Sequence, residues 1–159
     1  MHFDEKADQL ELREWDIWYT PPPDMPKDAL ILDVGGRDGD SCLFYVLRGY
    51  TNIRVIEPNP VYFEWLDNNT REMKEMFPAV NIEVRKKPFT KSDLKGVAFA
   101  KFDCEGCEQE ADLESLPMPW SAEVHVPNKP DANGFYPYVD VVGYRRGAGL
   151  SKAPAQATP

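Results

Sequence analysis

Three clusters that combine acidic residues with glycine or proline, each placed directly after an apolar run, have the composition of ligand-binding sites. They span residues 33–40 (DVGGRDGD), 57–60 (EPNP) and 103–108 (DCEGCE). Glycine lets the backbone bend sharply and approach a ligand closely. Carboxylates accept hydrogen bonds and can take a proton from a hydroxyl group. A tight turn is the alternative explanation of the first cluster, and a solvated strand-end glutamate is that of the second. The position that the clusters share in the fold bears on this choice.

The pattern of apolar runs indicates where these clusters lie in the fold. Strands are predicted at 30–34, 52–57, 80–84, 97–103 and 121–126, and helices at 4–19, 41–48, 61–77 and 107–116. This alternation predicts an α/β fold with a doubly wound, mostly parallel sheet, which binds ligands at the carboxyl ends of its strands. All three clusters follow such ends. Residues 135–146 fit a helix and a final strand equally well.

Two helices are predicted in more detail. The helix at 41–48 is apolar nearly all round, which predicts burial, and Asp40 or Ser41 is expected to cap it. The helix at 61–77 has the clearest amphipathic spacing in the chain. Its predicted inner face comprises Tyr62, Trp65, Leu66, Asn69, Met73, Met76 and Phe77.

Length and composition predict one compact domain with two appendages. The chain has 159 residues, of which 42% are hydrophobic. We divide it into a helical appendage with a proline-rich connector at 1–28, the α/β domain at 29–146 and a flexible tail of small residues at 147–159. The aromatic residues Trp15, Trp18 and Tyr19 near the connector could cover a pocket or pack against the sheet.

Charge and cysteine content narrow the class of partner. A net charge of -9 disfavours a broad grip on nucleic acid or on an anionic membrane, and favours small-molecule or protein partners. No stretch has the roughly 20 apolar residues of a membrane span, and the N-terminal residues do not resemble a signal peptide, so we expect a cytoplasmic protein. The three cysteines are an odd number with a single CxxC, which supports neither a disulfide framework nor a four-thiolate zinc site.

The first two clusters indicate a nucleoside-containing cofactor. Glu57 follows the second strand about 20 residues after the glycine turn, where a carboxylate can accept hydrogen bonds from both ribose hydroxyls. A dinucleotide fingerprint would need glycine at position 34, which is Val34. Asp33, Asp38 and Asp40 would repel a pyrophosphate but suit the sulfonium and ammonium groups of S-adenosylmethionine.

Three stretches of the sequence resemble, in order, the motifs of FkbM-type methyltransferases. They read LILDVGGRDGDS, VIEPNPVYFEWLDNNT and AKFDCEGCE, and the later AEVHV resembles the fifth strand of that family. The resemblance covers residues 29–126. It implies a Rossmann-like class I methyltransferase fold that binds S-adenosylmethionine and transfers its methyl group, typically to a hydroxyl oxygen, here of a small-molecule or carbohydrate acceptor.

The resemblance also implies roles for individual residues. Asp33, Gly35 and Gly39 would surround the methionine part of the cofactor, Glu57 would bind the ribose, and Asn59 would lie beside the adenine. The full predicted cofactor-binding set is Asp33, Gly35, Gly36, Gly39, Asp40, Glu57, Pro58, Asn59 and Asp103. The predicted catalytic set is Asp103, Glu105 and His125, with Asp103 and His125 as the first candidates for a base; Glu108 matches the same acidic motif. Both Glu108 and His125 could instead have purely structural roles, Glu108 as a residue that favours a helix N-terminus and His125 as a hydrogen-bonded core residue.

Two departures from the family pattern predict a shortened member. Residues 88–96 leave little room for a helix between the third and fourth strands, and the chain continues only briefly after the fifth. The acceptor side could then borrow a wall from the N-terminal segment or from a second copy of the chain in a homodimer.

Two other functions remain open from sequence. The chain could be a noncatalytic module that binds a nucleoside or a protein partner, or, less favoured, a nicotinamide-dependent oxidoreductase. Asp103, Glu105 and His125 could also hold a divalent metal near the acceptor. No ligand spacing in the sequence demands that metal, and we therefore expect none.

Overall fold

The chain folds around one six-stranded sheet with the strand order β3-β2-β1-β4-β5-β6. A computed structural model describes residues 15–134, 136–137 and 139–147. All neighbouring strands pair in parallel except β5 and β6, which are antiparallel. The predicted α/β, mostly parallel fold is thus confirmed. The elements are β1 (Ile31–Val34), α1 (Asp40–Leu47), β2 (Asn52–Ile56), α2 (Pro60–Met76), β3 (Asn81–Arg85), β4 (Phe99–Phe102), β5 (Trp120–His125) and β6 (Val141–Gly147).

The central strand β1 sets the register of the sheet. All four of its residues are buried, as expected for a parallel strand that is covered on both faces. Its last residue, Val34, lies beside Ile56 of β2 and Phe102 of β4. Because the three strands end level, Gly35, Glu57 and Asp103 leave the sheet at the same edge.

The two faces of the sheet carry separate apolar cores. On one face, Ile31 and Phe99 pack with Tyr45 of α1 and Leu66 of α2. On the other face, the core lies beneath short turns and loops; its buried members are Leu32, Val34, Ile56, Ala100, Phe102, Cys107, Ala111, Leu113, Leu116, Met118, Trp120 and Ala122. Burial of each large apolar side chain in these cores stabilises the folded state by about 1.5–3 kcal/mol. Among the described residues, only 3₁₀ turns and loops cover this second face of the sheet, which we call the thin face.

The N-termini of helices α1 and α2 are capped in different ways. The residue that precedes α1 is Gly39, whose backbone is left-handed at φ 91° and which has no side-chain cap, so the prediction that Asp40 or Ser41 caps α1 is wrong. In contrast, Asn59 caps α2 by accepting a hydrogen bond from the amide of Val61, and Pro60 occupies the first helical position.

The predicted inner face of α2 is only partly right. Leu66, Asn69 and Met73 are buried. Trp65 and Met76 are 39% and 58% exposed, because the sheet and the glycine turn cover a stripe narrower than the sequence pattern. The inner face therefore has a polar member, Asn69, whose amide donates to the carbonyl oxygen of Asp38 at 2.8 Å.

The connections that follow β3 and β4 contain short 3₁₀ turns and no longer helices. The predicted helix at 107–116 is wrong: it is split into the turns Cys107–Gln109 and Leu113–Ser115 by Asp112, whose φ of 52° is incompatible with a continuous helix. The short connection at 88–96 holds only the turn Lys91–Leu94. The undecided segment 135–146 contributes the strand β6, which pairs with β5.

The predicted appendages lie mostly outside the described residues. Of the predicted helix at 4–19, the structure describes only the end, where residues 15–18 are helical. Of the predicted tail at 147–159, only Gly147 is described, as the last residue of β6. In the described ranges, every helix is too short or too polar to cross a membrane.

Gly35 and Gly49 allow a matched test of the close approach between β1 and β4. Both have a left-handed backbone, at φ 81° and 82°. A Cβ atom on Gly35 would lie 1.7 Å from the carbonyl oxygen of Asp103, whereas one on Gly49 would meet nothing within 4 Å. Alanine at either position adds the left-handed strain of about 1–2 kcal/mol. Only Gly35→Ala adds the backbone clash, so we expect it to lose at least about 2 kcal/mol more stability than Gly49→Ala.

Urea unfolding of the two variants measures this difference. Equal losses of unfolding free energy in Gly35→Ala and Gly49→Ala would show that the turn can move away from β4, contrary to the geometry described.

Candidate functional site

A cavity of about 390 Å³ opens at the carboxyl ends of β1, β2, β4 and β5. Most of the residues that the sequence predicts as functional lie on its wall, because the level strand ends bring their following loops together. The predicted residues on the wall are Gly35, Asp40, Glu57, Pro58, Asn59, Asp103, Glu105 and His125.

Three predicted residues lie behind the cavity. Asp33 is fully buried. It accepts a hydrogen bond from Ser41 Oγ at 2.6 Å and pairs with Lys101 Nζ at 3.0 Å. Gly36 and Gly39 face the core, where added Cβ atoms would meet side chains of α2 or β2. These residues shape the glycine turn and do not line the cavity.

Lys101 is a buried cation that sequence reasoning missed. It donates to the carbonyl oxygen of Gly35 at 3.0 Å and lies 3.6 Å from Asp103 Oδ2. Burial lowers the pKa of Lys101, but the charges of Asp33 and Asp103 outweigh burial and raise it above the ordinary value. The signal in the sequence was a single lysine within the otherwise apolar run of β4.

In the glycine turn, the backbone amides of Gly35, Gly36 and Arg37 already have acceptors within the protein. Gly35 and Gly36 both donate to the carbonyl oxygen of Ile56, at 2.9 and 3.2 Å. The amide of Arg37 donates to Glu57 Oε2 at 3.0 Å. In a phosphate-binding turn such amides point at the ligand. This turn therefore presents a carboxylate to the cavity where a dinucleotide site would present amide donors.

Glu57 is held rigidly at the end of β2. Its second oxygen accepts a hydrogen bond from the amide of Asn59 at 2.8 Å, and the residue is only 5% exposed. Burial raises the pKa of Glu57 to about 7, although the amides of Asn59 and Arg37 oppose the shift. Each carboxylate oxygen keeps a further lone pair, so Glu57 can accept two more hydrogen bonds from a ligand.

Asp103 and Glu123 form the acidic wall opposite Glu57. Tyr19 donates its hydroxyl to Asp103 Oδ2 at 3.2 Å, and Tyr144 donates to Glu123 Oε1 at 3.0 Å. Burial works against the charge of Asp103, but Lys101 holds its pKa below the usual range. Burial and the charge of Asp103 raise the pKa of Glu123 well above its ordinary value.

His125 is oriented by a buried carboxylate. Glu108 Oε1 accepts from the backbone amide of His125 at 3.0 Å and lies 3.3 Å from its Nδ1. The other ring nitrogen, Nε2, lies 3.3 Å from Glu105 Oε2 on the cavity wall. Burial lowers the pKa of His125, but Glu108 and Glu105 outweigh it and raise the pKa. Glu108 thus lies behind the wall, where it positions His125.

The loop that carries Glu105 is closed by a disulfide. Cys104 and Cys107 are bonded, with their Cα atoms 5.5 Å apart, while Cys42 is a buried free thiol. Between the bonded cysteines, Glu105 and Gly106 have φ values of 60° and 133°. The short ring therefore fixes the direction in which Glu105 leaves the loop.

The aromatic residues of the N-terminal segment have both predicted roles. Trp15 and Tyr19 line the cavity. Trp18 stacks on Tyr144 of β6, with ring centroids 5.2 Å apart. Sequence reasoning missed the other aromatic wall residues, Tyr62, Tyr136 and Tyr144. Tyr62 lies on the predicted inner face of α2, and the other two follow β5, where the pattern left helix and strand undecided.

Solved structures of methyltransferases share this fold. A geranyl diphosphate methyltransferase in complex with SAM has a TM-score of 0.52 and 14% identity, over 72% of this chain and 49% of that one. An RNA methyltransferase from Salinibacter ruber in complex with S-adenosyl-L-homocysteine has a TM-score of 0.50 and 14% identity, over 78% of each chain. A methyltransferase FkbM from Methylobacillus flagellatus KT has a TM-score of 0.47 and 19% identity, over 62% of this chain and 33% of that one.

The first two similarities show that the chain shares a Rossmann-like α/β fold with these methyltransferases, the fold that the sequence motifs implied. The chain spans about half the length of the geranyl diphosphate methyltransferase and about a third of the FkbM protein. No family model matches the sequence, and the comparison with curated proteins gives no match.

The raised pKa of Glu57 predicts a pH-dependent contribution to stability. Its pKa is 4.5 in the unfolded chain and about 7 in the folded one, so the folded state binds the proton more tightly. The stabilising contribution is complete below pH 4.5 and is lost as pH rises through about 7, by about 3 kcal/mol in total. In Glu57→Gln the group does not titrate and this loss is absent.

We therefore expect the unfolding free energy of Glu57→Gln to rise relative to the unsubstituted protein between pH 5 and pH 8. Urea unfolding at several pH values measures the difference. The glutamine loses one amide hydrogen bond at every pH, which offsets the curve without changing its slope. A difference that does not vary with pH would contradict the raised pKa.

Proposed function

We propose that the protein is an S-adenosylmethionine-dependent methyltransferase that acts on a hydroxyl oxygen of a small-molecule or carbohydrate acceptor. One observation carries the proposal: the glycine turn uses its amides internally and presents the carboxylate of Glu57 to the cavity. Such a site suits a ribose next to a cationic group and repels a pyrophosphate. The class I methyltransferase fold supports the same cofactor.

The proposed cofactor follows the strand ends across the sheet. Glu57 accepts hydrogen bonds from both ribose hydroxyls, and Pro58 and Asn59 lie beside the adenine. Gly35 and Asp40 border the methionine part, where the carboxylate of Asp40 suits the ammonium group. This order places the sulfonium near Asp103, whose negative charge is maintained by Lys101.

The acceptor lies on the side of Asp103, Glu105 and His125 in this proposal. Its oxygen attacks the methyl carbon, the C–S electron pair returns to sulfur, and the hydroxyl proton goes to a base. His125 Nε2 and Asp103 are placed to accept that proton, although alignment of the two reactants supplies most of the rate. The aromatic wall, which includes Tyr19 and Tyr144, offers flat surfaces against which a sugar or another ring can stack.

The acidic wall also bears on the class of acceptor. Asp103, Glu105 and Glu123 line the acceptor side, and the chain carries a net charge of -9. Phosphate groups would be repelled there, so a neutral hydroxyl compound is favoured over a nucleic acid.

A noncatalytic S-adenosylmethionine-binding module is the second candidate. The first observation in its favour is the thin face of the sheet, where 3₁₀ turns stand in place of helices. The second is strand β6, which is 7 residues long and carries the exposed side chains of Val141 and Val142, an apolar surface that a protein partner could cover. A homodimer that covers this side stays a prediction from sequence.

Binding measurements separate the candidate cofactors. We expect calorimetry to detect binding of S-adenosylmethionine and S-adenosylhomocysteine but not of NAD. Glu57→Ala should weaken the binding of S-adenosylhomocysteine about 10- to 100-fold, because the substitution removes hydrogen bonds from the ligand to a charged acceptor. Asp131→Ala, on an exposed loop, is the control and should bind normally. Binding of NAD alone, or normal affinity in Glu57→Ala, would overturn the cofactor assignment.

Activity measurements separate the enzyme from the module. With radiolabelled S-adenosylmethionine and a panel of hydroxylated small molecules and oligosaccharides, we expect methyl transfer. His125→Asn should lower kcat about 100-fold or more, with S-adenosylhomocysteine affinity nearly unchanged. Urea unfolding must first show that this buried variant is folded. Cofactor binding without transfer to any acceptor on the panel would instead favour the module.

A further inference from the structure

Three potential metal ligands from two neighbouring strand ends meet on the acceptor side of the cavity. They belong to Asp103 and Glu105, which follow β4, and to His125, the last residue of β5. One carboxylate oxygen from each acidic residue and one ring nitrogen of His125 all lie within 4.8 Å of one another. Ligand atoms around one ion lie about 2.0–2.2 Å from it, so small side-chain rotations would bring all three into a common shell.

The orientation of His125 is an independent observation that points to a ligand. Its side chain is 1% exposed, and its Nδ1 faces the buried carboxylate of Glu108 at 3.3 Å. A proton on Nδ1 leaves the Nε2 lone pair directed into the cavity, 3.3 Å from Glu105 Oε2 and 3.9 Å from Glu123 Oε2. Histidines that bind metals are typically held in this way, by a carboxylate on the nitrogen that does not bind the ion.

The charges around His125 call for a cation. Lys101 approaches only one side of the cluster: it lies 3.6 Å from Asp103 but 3.0 Å from Asp33, and it also donates to the Gly35 carbonyl. Among the described residues, the basic group that approaches Glu105 is the imidazole of His125 itself. The imidazole thus lies among the carboxylates of Glu105, Glu108 and Glu123, and this group of negative charges attracts a divalent ion.

We propose that Asp103, Glu105 and His125 bind one divalent transition-metal ion. Two oxygens and one imidazole nitrogen suit borderline ions such as Mn²⁺, Fe²⁺ or Zn²⁺ better than Mg²⁺ or Ca²⁺, which prefer oxygen ligands alone. Three protein ligands leave coordination positions open toward the cavity. This proposal departs from the sequence-based expectation that the protein binds no metal.

The ion gives the acceptor hydroxyl a binding position, and this consequence rests on the proposed function. A hydroxyl oxygen bound to the ion has a lowered pKa and loses its proton to solvent water. The resulting alkoxide attacks the methyl carbon, and the C–S electron pair returns to sulfur. In the ion-free site His125 Nε2 accepts the proton, as proposed above; in the ion-bound site the same nitrogen coordinates the ion and solvent water accepts the proton.

Titration of the full chain with Mn²⁺, without cofactor and without reductant, tests the site. Electron paramagnetic resonance should show one bound ion per chain and a nitrogen hyperfine coupling from His125. Mn²⁺ is preferred to Zn²⁺ as a probe because reduced Cys104 and Cys107, with Glu108, form a second group of potential ligands that favours zinc.

Two variants with the same change of charge give opposite expected results. The side chain of Glu105 lies on a loop and is 31% exposed. Glu105→Gln should weaken Mn²⁺ binding at least about 10-fold and leave S-adenosylhomocysteine binding intact. Glu57→Gln, in the same cavity, should keep Mn²⁺ binding and weaken S-adenosylhomocysteine. His125→Gln should abolish the nitrogen coupling.

Unchanged Mn²⁺ affinity in Glu105→Gln, absence of the nitrogen coupling, or absence of stoichiometric binding would each overturn the metal site. These outcomes are distinct from failure of the proposed function. If Mn²⁺ binds as expected and S-adenosylhomocysteine does not bind, the cofactor assignment fails while the metal site stands.

Discussion

The site depends on one buried lysine. Lys101 is 2% exposed and Asp33 is fully buried, so their ion pair lies inside the sheet, where two unpaired charges would be very unfavourable. The lysine forms an ion pair with Asp33, donates to the Gly35 carbonyl and approaches Asp103, and Asp33 also accepts from Ser41. One ammonium group thus fixes the end of β1, the glycine turn and the first acidic residue after β4 with respect to one another.

The cavity is assembled around that pair by the register of parallel strands. Because β1, β2 and β4 end level, side chains distant in sequence reach the same space without long connecting loops. Behind the wall, Asp33, Glu108 and the glycine turn hold the residues that face the cavity. The wall therefore keeps its charges in fixed positions, as a site needs if it is to act by alignment and electrostatics.

The sequence predicts the parts of the site that depend on local pattern. An apolar run followed by glycines, or by a carboxylate, marks a strand end, and this correctly places Gly35, Glu57 and Asp103. Lys101, Tyr19 and Tyr144 reach the cavity through contacts between distant segments, which periodicity does not encode. The helix predicted at 107–116 failed for a related reason. Asp112 is left-handed, and its neighbours Ala111 and Leu113 are buried in the core through contacts that composition does not reveal.

The N-terminal segment is held in the cavity wall by contacts with residues that are distant in sequence, including strand β6. Arg146 of β6 donates to the carbonyl oxygens of Ile17 and Thr20, which precede it by 129 and 126 residues, and Tyr19 reaches Asp103 across 84 residues. Closing loops of this length costs more entropy than forming local contacts. During synthesis, the first aromatic residues must therefore wait for the last strand before the pocket can close.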